Sequence, residues 1–232
     1  MNTRPPQGFF RPQHYGWDMA AWQEVVVQNC YRLAEDLDGA VVVDVGAHIG
    51  SFTCTVLDRG ASHVTAIEPD PRNFKQLGWN VKKHSRGHLV DLIEAAACQS
   101  TLCQSTLYKP RFHSFPDRGG VNTGGGSLSH IPGAIVIVVP GIDIGLLMRR
   151  FRSLDLLKLD CEGAEQSILK ESRPWINKVG TIVGEMHPDL WYSDFDCQKF
   201  LREHFEVEEF PGPDPKHPLF CATKKPQPLA AG

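Results

Sequence analysis

Two acid-rich segments of the sequence carry residue types that handle protons or bind metal ions. The first, "KLDCEGAE" at residues 158–165, ends an otherwise apolar run. Its charged members are Lys158, Asp160, Glu162 and Glu165. The second, "GEMHP", places Glu185 and His187 two positions apart, and therefore on the same face of a strand. If the two strands are neighbours, these side chains meet at one edge of the sheet.

Two catalytic roles are open for this group, and its candidate catalytic residues are Asp160, Glu162, Glu185 and His187. In the first role, His187 or a carboxylate accepts a proton as general base. In the second, Asp160 and Glu185 hold a divalent metal ion such as Mg2+, which lowers the pKa of a bound hydroxyl. The alternative is an ion-pair network that only orders the strand ends. The lysine of this apolar strand needs an acidic partner, for which Glu162, Glu165 and Glu185 are available.

A glycine-containing loop, "VDVGAHIGSF", follows the first strong apolar run of the chain. Its candidate ligand-binding residues are Asp44, Gly46, His48, Gly50 and Ser51. A phosphate loop of the G-x-x-x-x-G-K-[ST] type is excluded, because the required lysine is missing. A dinucleotide fingerprint is disfavoured, since His48 stands where a middle glycine lets pyrophosphate approach the backbone.

S-adenosylmethionine is a third candidate ligand, and it carries an ammonium and a carboxylate instead of phosphates. Backbone carbonyls near Asp44 and Gly46 suit the ammonium, and the amides at the helix start near Ser51 suit the carboxylate. Glu68 ends the next strand, 18 residues after Gly50, where an acid accepts hydrogen bonds from both hydroxyls of a ribose. A plain tight turn between strand and helix is the structural alternative.

Alternating strand and helix signals predict the framework that positions these residues. The predicted strands are residues 40–45, 63–68, 90–96, 154–160 and 181–187, and the predicted helices are 17–37, 50–59, 71–83, 163–172 and 194–204. The pair Asp38 and Gly39 is expected to close the first helix. Strands that are nearly all apolar and alternate with helices indicate a parallel sheet covered on both faces. The last two strand-like runs, "FEVEEF" and "LFCATK", indicate an antiparallel hairpin.

Two further segments are candidates for contact with a ligand. Residues 110–134 form a long loop rich in glycine, which is typical of a lid or a binding loop. Trp191 and Tyr192 are candidates for an aromatic wall beside a sugar ring, although packing in the core explains them equally well.

Length and composition exclude several classes of protein. The chain has 232 residues, of which 41% are hydrophobic, and its net charge is −3, so nucleic acid is not expected as the main partner. The first residues lack the apolar core of a signal peptide, and the longest apolar stretch is too short to span a membrane. Seven scattered cysteines without metal-site spacing are expected to be reduced thiols in a cytoplasmic protein.

Taken together, these motifs resemble the FkbM-type methyltransferases. The matching segments occur in the order and spacing of that family: "VVVDVGAHIGSFT", "AIEPDPRNFKQLGWNV", "EAAAC", "GGGSLS", "LLKLDCEGAEQSILK" and "GEMHP". The resemblance covers roughly residues 40–190, and "KLDCEGAE" is its most specific part. It implies an α/β, Rossmann-like class I methyltransferase fold. In that fold a mostly parallel seven-stranded sheet ends in an antiparallel hairpin and carries helices on both faces.

The resemblance also implies a function and a set of binding residues. It implies S-adenosylmethionine as cofactor and methyl transfer, most often to a hydroxyl of a small metabolite such as a sugar or polyketide. Methylation of a small amine and a catalytically inactive, cofactor-binding interaction protein are the alternatives. By position, the resemblance assigns Asp44, Gly46 and Gly50 to the loop that binds the methionine part of the cofactor, and Glu68 to the ribose. It assigns Ala96 and Ala97 to the border of the adenine, and Asp160 and Glu162 to the acidic motif near the transferred methyl group. Ser127 begins the Ser-Leu pair that follows the long loop.

The chain departs from the family pattern at His48, where the family often has asparagine, and after the long loop, where Asp143 is the matching acid.

Residues 1–37 are interpreted as an N-terminal arm and helix that act as a lid, 38–224 as the methyltransferase domain, and 225–232 as a tail. Acceptor specificity is expected to depend on the N-terminal part and the C-terminal hairpin. The expected partner is a small hydroxylated acceptor, with no membrane involved and with a homodimer left open.

Overall fold

The computed structural model describes residues 4–98, 110–114, 126–128, 134–190 and 194–226. Seven strands form the central sheet, in the order β10-β11-β9-β8-β1-β2-β3. Their bounds are β1 Val41–Val45, β2 His63–Ile67, β3 Val90–Ile93, β8 Leu154–Leu159, β9 Val179–Glu185, β10 Phe205–Phe210 and β11 Leu219–Lys224. Only β11 runs antiparallel to its neighbours β9 and β10. The mostly parallel seven-stranded sheet with its C-terminal hairpin is therefore confirmed.

Apolar side chains cover the sheet on both faces, as the strand patterns predict. Val43 and Leu157 belong to one hydrophobic cluster, and their neighbours Val42 and Leu156 belong to another. Successive residues of a strand point to opposite faces, so the two clusters lie on opposite sides of the sheet. The helices that cover them are α1 Tyr15–Trp22, α2 Ser51–Asp58, α3 Pro71–Lys83, α4 Ile144–Met148, α5 Glu165–Lys170 and α6 Cys197–His204.

The first helix ends earlier than the sequence pattern predicts. After α1, one π-helical segment continues over Gln23–Val27, and the chain then leaves the helix, so the expected closure at Asp38 and Gly39 is wrong. Asn29 adopts a left-handed backbone conformation, with φ of 50°. Its side-chain amide donates to the carbonyl of Leu33 at 3.0 Å and its side-chain oxygen accepts from the Leu33 amide at 3.1 Å. These local hydrogen bonds compete with the helix and end it.

Four short strands lie outside the central sheet, namely β4 Ala96–Cys98, β5 Arg111–Ser114, β6 Ile135–Val138 and β7 Gly141–Asp143. The predicted third strand is split, because β4 leaves the main sheet to pair with β7. β5, at the start of the predicted long loop, forms an antiparallel ribbon with β6, which directly follows that loop. Cys98 is disulfide-bonded, so the expectation of seven reduced thiols is wrong there.

In the described part of the chain, no helix has both the length and the apolar character that crossing a membrane requires.

A buried ion pair within the N-terminal segment holds Arg11 where it contacts the methyltransferase domain. Arg11 donates through Nε and Nη2 to the carboxylate of Asp18, at 3.0 and 2.6 Å, and through Nη1 to Oδ1 of Asn73 in α3 at 2.6 Å. Both partners of the pair are almost fully buried. Nη2 of Arg11 also lies 3.4 Å from Nε2 of His48, so the arm reaches the glycine loop.

Removing the charge of Asp18 is expected to destabilise the protein far more than removing an exposed charge. Asp18→Asn leaves the buried guanidinium without its counter-ion, which costs about 3–5 kcal/mol. The matched control is Glu208→Gln, which breaks the exposed pair with Arg32 and changes the free energy of unfolding by no more than about 1 kcal/mol. Urea unfolding of both variants measures the difference. Equal losses would contradict a special contribution of the buried pair to stability.

Candidate active site

A cavity of about 490 Å3 lies at the carboxyl ends of the central strands. The glycine loop follows β1, Glu68 follows β2, Asp160 follows β8, and Glu185 ends β9, so the four adjacent strand ends deliver these residues to one edge. In open α/β sheets this edge is where ligands bind. The two acid-rich segments and the glycine loop, which are far apart in sequence, therefore belong to one site.

The glycine loop needs glycine at position 46 for two independent reasons. Gly46 has φ of 84°, and a Cβ there would lie 1.8 Å from the carbonyl oxygen of Asp160. Gly50 has φ of 96° and begins α2. His48 between them is left-handed too, with φ of 51°, which is uncommon for a residue with a side chain. The loop is therefore a tightly wound turn that presses against the end of β8.

Lys158 is the buried cation that links this loop to the acid-rich segment. Its Nζ donates to the carbonyl of Gly46 at 2.9 Å and lies 3.3 Å from Oδ1 of Asp44 and 3.5 Å from Oδ2 of Asp160. Burial opposes the charge of Lys158, but the two aspartates outweigh it and raise its pKa. The predicted partners Glu162, Glu165 and Glu185 are not the ones that Lys158 uses, because β1 lies beside β8 and places Asp44 directly opposite.

Asp160 is held from a second side by the N-terminal segment. The hydroxyl of Tyr31 donates to Oδ2 of Asp160 at 2.6 Å, and Tyr31 is itself buried. Burial raises the pKa of Asp160, but the charges of Lys158 and His187 and the Tyr31 hydrogen bond outweigh it, so the net shift is downward. Asp160 is therefore ionised in the neutral pH range.

Glu68 and its neighbours form the part of the cavity that the resemblance assigns to ribose and adenine. The Glu68 carboxylate accepts from the backbone amides of His48 and Asp70 at 2.8 and 2.9 Å, and from Nδ2 of Asn73 at 3.2 Å. Burial raises its pKa to about 7, against the effect of these hydrogen bonds. Burial and the charge of Arg11 lower the pKa of His48 to about 4. Ala96 and Ala97 line the same cavity.

His187 lies between carboxylates at the other end of the cavity. Its Nδ1 is 3.2 Å from Oε1 of Glu165, and its Nε2 is 3.4 Å from Oε2 of Glu162 and 4.0 Å from Oε2 of Glu185. Burial opposes the imidazolium, but the Glu165 hydrogen bond and the surrounding charges raise the pKa of His187 to about 10. Burial raises the pKa of Glu162 to about 8. Burial and then the charge of Asp160 raise the pKa of Glu185 to about 8.

The loop after β8 is shaped around this group. Glu165 is fully buried and accepts from the amides of Cys161 and Gly163 at 2.8 and 2.9 Å. Glu162 has φ of 53°, a left-handed conformation, and its backbone carbonyl accepts a short hydrogen bond from the hydroxyl of Ser127. A non-glycine residue in this region carries backbone strain, which is common at functional sites. Ser127 is thereby held against the loop that follows β8.

The predicted binding residues divide into those on the cavity wall and those behind it. Those on the wall are Gly46, His48, Ser51, Glu68, Ala96, Ala97, Asp160, Glu162, Glu185 and His187. Asp44 and Gly50 are not among the residues that line the cavity, and Asp44 instead forms an ion pair with Lys158. Of the predicted long loop 110–134, residues 115–125 and 129–133 lie outside the described residues, as does the pair Trp191 and Tyr192.

Sequence reasoning missed several residues that line the cavity. From the N-terminal segment these are Glu24 and Tyr31, and from the C-terminal hairpin they are Asp214 and His217. No local motif marks them, because each reaches the site only through packing of the segments that flank the family match. The only signal in the sequence was their residue type, since acidic residues, a histidine and a tyrosine in flanking segments can contact a ligand.

The charge of the cavity discriminates between the ligands considered above. Its carboxylate residues are Glu24, Glu68, Asp160, Glu162, Glu185 and Asp214, whereas Lys158 is the single lysine or arginine among the described lining residues. The carboxylate oxygens of this wall are suited to accept hydrogen bonds from the ammonium of S-adenosylmethionine, and the wall offers few cations to a pyrophosphate. The hydroxyl oxygen of Ser51, buried at the start of α2 without a hydrogen-bond partner in the described structure, suits the cofactor's carboxylate. The residues present therefore fit this cofactor.

The strand order and the site together define a class I methyltransferase. The family model of the methyltransferase FkbM domain matches residues 44–210, and the chain belongs to that family of S-adenosylmethionine-dependent enzymes. The solved structure of the methyltransferase FkbM from Methylobacillus flagellatus KT is similar in fold, with a TM-score of 0.56 and 16% identity, over 87% of this chain and 47% of that one.

Short stretches of the chain are also similar to curated enzymes. It is 39% identical over 69 residues to the ribosomal RNA small subunit methyltransferase A of Mycobacterium avium (strain 104), which is 30% of this chain and 21% of that protein. It is 46% identical over 48 residues to the protein of the same name from Mycobacterium sp. (strain KMS), 21% of this chain and 16% of that protein. The chain thus spans about a fifth or less of the length of these relatives.

Replacing Gly46 by alanine is expected to weaken cofactor binding and destabilise the fold. The left-handed backbone alone costs about 1–2 kcal/mol, and the new methyl group collides with the Asp160 carbonyl. Gly78→Ala is the matched control, since its Cβ has ordinary contact at 3.8 Å in helix α3 and is expected to be neutral or stabilising. Calorimetric titration with S-adenosylhomocysteine and urea unfolding measure both effects. Unchanged affinity in Gly46→Ala would contradict the role of this loop.

Binding of S-adenosylhomocysteine is expected to tighten as the pH rises through about 7. The ionised form of Glu68 is the better acceptor for the ribose hydroxyls, and its pKa is about 7, so the competent fraction grows between about pH 6 and about pH 8. His48, with a pKa of about 4, and Asp70, whose pKa is lowered, do not change charge in this interval. Titrations at several pH values test this, with Glu68→Gln expected to bind weakly and lose the dependence. A wild-type affinity that is flat with pH would count against Glu68.

Proposed function

We propose that this protein transfers the methyl group of S-adenosylmethionine to a hydroxyl oxygen of a small molecule. The proposal rests on the arrangement of Glu162, Glu185 and His187 in the cavity wall. Nε2 of His187 lies 3.4 Å from Oε2 of Glu162 and 4.0 Å from Oε2 of Glu185. An alcohol holds its proton tightly at neutral pH, so its methylation requires a proton acceptor beside the attacking oxygen.

The bound cofactor supplies a methyl group on a positively charged sulfur, which makes the methyl carbon the electrophile. For the chain itself, Ser51 and the amides at the start of α2 are suited to hold the cofactor's carboxylate. Glu68 is suited to hold the ribose, and Ala96 and Ala97 border the adenine. Holding both reactants in line is itself a large part of the catalysis.

Proton transfer is assigned to Glu162 on geometric grounds. Its carboxylate lies on the cavity wall, and Oε2 contacts Nε2 of His187, whose other nitrogen is bound to Glu165. Asp160 is already engaged by Lys158 and Tyr31, which suits it to stabilise positive charge rather than to take up a proton. For the same reason Mg2+ held by Asp160 and Glu185 is not part of the proposal.

A small acceptor fits the site better than a nucleic acid does. Among the described lining residues Lys158 is the single lysine or arginine, and it is already paired with Asp44 and Asp160, whereas a protein that binds nucleic acid needs cations for the phosphate groups. The similarity to the ribosomal RNA enzymes covers no more than 30% of this chain, so their substrate is not carried over. Cytoplasmic location and a homodimer stay predictions from the sequence.

The proposal is tested by methyl transfer to a panel of sugars, polyols and phenols, with small amines as the comparison panel. Mass spectrometry with a deuterated methyl donor is expected to show label on oxygen. Glu162→Gln is expected to reduce the transfer rate by about 10²–10⁴-fold, with S-adenosylhomocysteine affinity changed only a few-fold. Glu206→Gln, on the exposed side of β10, is the matched control and is expected to keep full activity.

Two outcomes would contradict the proposal. Label found only on nitrogen would favour the amine alternative. A Glu162→Gln enzyme within three-fold of the wild-type rate would remove the assigned proton acceptor.

A further inference from the structure

We propose that Glu185, His187 and His217 bind a divalent transition-metal ion such as Zn2+ at the acceptor end of the cavity. One ligand atom from each of the three residues lies within 4.8 Å of the others. All three residues line the cavity. The sequence-based metal hypothesis used Asp160 and Glu185, so this site shares one residue with it and differs in its chemistry.

The sheet topology brings these residues together. Glu185 is the last residue of β9, and His187 follows it by two positions. β11 runs antiparallel beside β9, with Leu219 directly opposite Glu185. His217 precedes Leu219 by two positions, at the end of the turn between β10 and β11. The rings of His187 and His217 lie next to each other, with centroids 4.7 Å apart.

A second observation points to a metal, because each histidine has a carboxylate on one of its ring nitrogens. Oε1 of Glu165 is 3.2 Å from Nδ1 of His187, and Oδ1 of Asp189 is 2.8 Å from Nε2 of His217. Histidines that bind a metal usually donate their other ring N–H to a carboxylate, which fixes the orientation of the ring. The nitrogens then available to a metal are Nε2 of His187 and Nδ1 of His217. They also lie near carboxylates, at 3.4 Å from Oε2 of Glu162 and 3.9 Å from Oδ2 of Asp214, and a bound metal replaces these two contacts. Nε2 of His187 faces Glu185 at 4.0 Å.

The type of ligand indicates which metal the site prefers. Two imidazoles and one carboxylate suit zinc, iron, cobalt or nickel, whereas magnesium prefers an all-oxygen set. Ligand distances of about 2.0–2.2 Å to zinc require the three side chains to draw closer, by shifts of about 1 Å. Three protein ligands leave a coordination position open toward the cavity, which is the pattern of catalytic zinc sites.

The role of the metal, unlike its binding, rests on the proposed function. A hydroxyl that occupies the open position loses its proton more easily, as water does on zinc. The O–H bond breaks, the proton passes to the carboxylate of Glu162, and the oxygen forms a bond to the methyl carbon as the carbon–sulfur bond breaks. Atoms and charge balance without any further reactant.

Metal binding is tested without any acceptor substrate. The full-length protein is treated with a chelator, loaded with Zn2+ or Co2+, and passed over a desalting column, after which retained metal is measured by mass spectrometry. The wild type is expected to keep one equivalent, and Co2+ is expected to show the visible absorption of a site with nitrogen ligands. His217→Asn is expected to weaken binding at least about 10-fold, and Asp189→Asn about 10–100-fold through the orientation of His217.

His63→Asn is the matched control, since His63 also faces a carboxylate, that of Asp91, but lies outside the cavity. Its metal content is expected to equal that of the wild type, and urea unfolding shows that each variant folds. The proposal is overturned if the wild type retains no metal, or if His217→Asn retains as much as the wild type. Metal bound by a protein that fails in the methyl-transfer assay would refute the proposed function and leave the site standing.

Discussion

The site depends on the buried ammonium of Lys158 more than on any other single group. A lysine in the middle of an apolar sheet is costly unless it is fully paired, and here two aspartates and a backbone carbonyl surround it. Asp44 comes from β1, Asp160 from the end of β8, and the carbonyl from Gly46. One cation thereby joins the cofactor loop to the acidic segment. Without it, the buried carboxylate of Asp44 would lie beside that of Asp160 with no cation between them.

The segments on either side of the family match complete the cavity. The matched region spans residues 44–210, yet Tyr31 donates a hydrogen bond to Asp160, and His217 lies against His187. Arg11, whose charge is paired with Asp18, connects the N-terminal arm to Asn73 of α3, and the C-terminal hairpin is held by its pairing with β9. The region that the family model matches thus supplies the strand ends, while the flanking segments contribute further residues to the cavity wall. This arrangement is consistent with the expectation that these segments select the acceptor.

The strands and their polar ends were predictable, because a strand buried on both faces must be apolar and must turn polar where it reaches the ligand edge. Asp160, Glu162, Glu185 and His187 were found in this way. The partners of Lys158 were not, since a register between strands far apart in sequence leaves no local pattern. The early end of the first helix was missed because Asn29 competes through its own side chain, which hydrophobic periodicity does not report. Tyr31 and His217 reach the site only through tertiary packing.

The charged edge of this sheet is suited to a cofactor that carries an ammonium and a sulfonium and no phosphates. Calorimetric titration of the wild-type protein with S-adenosylhomocysteine, with NAD as the comparison ligand, tests it most directly. S-adenosylhomocysteine is expected to bind with a stoichiometry of one, and NAD is expected to give no heat of binding. Binding of NAD, or no binding of S-adenosylhomocysteine, would contradict it.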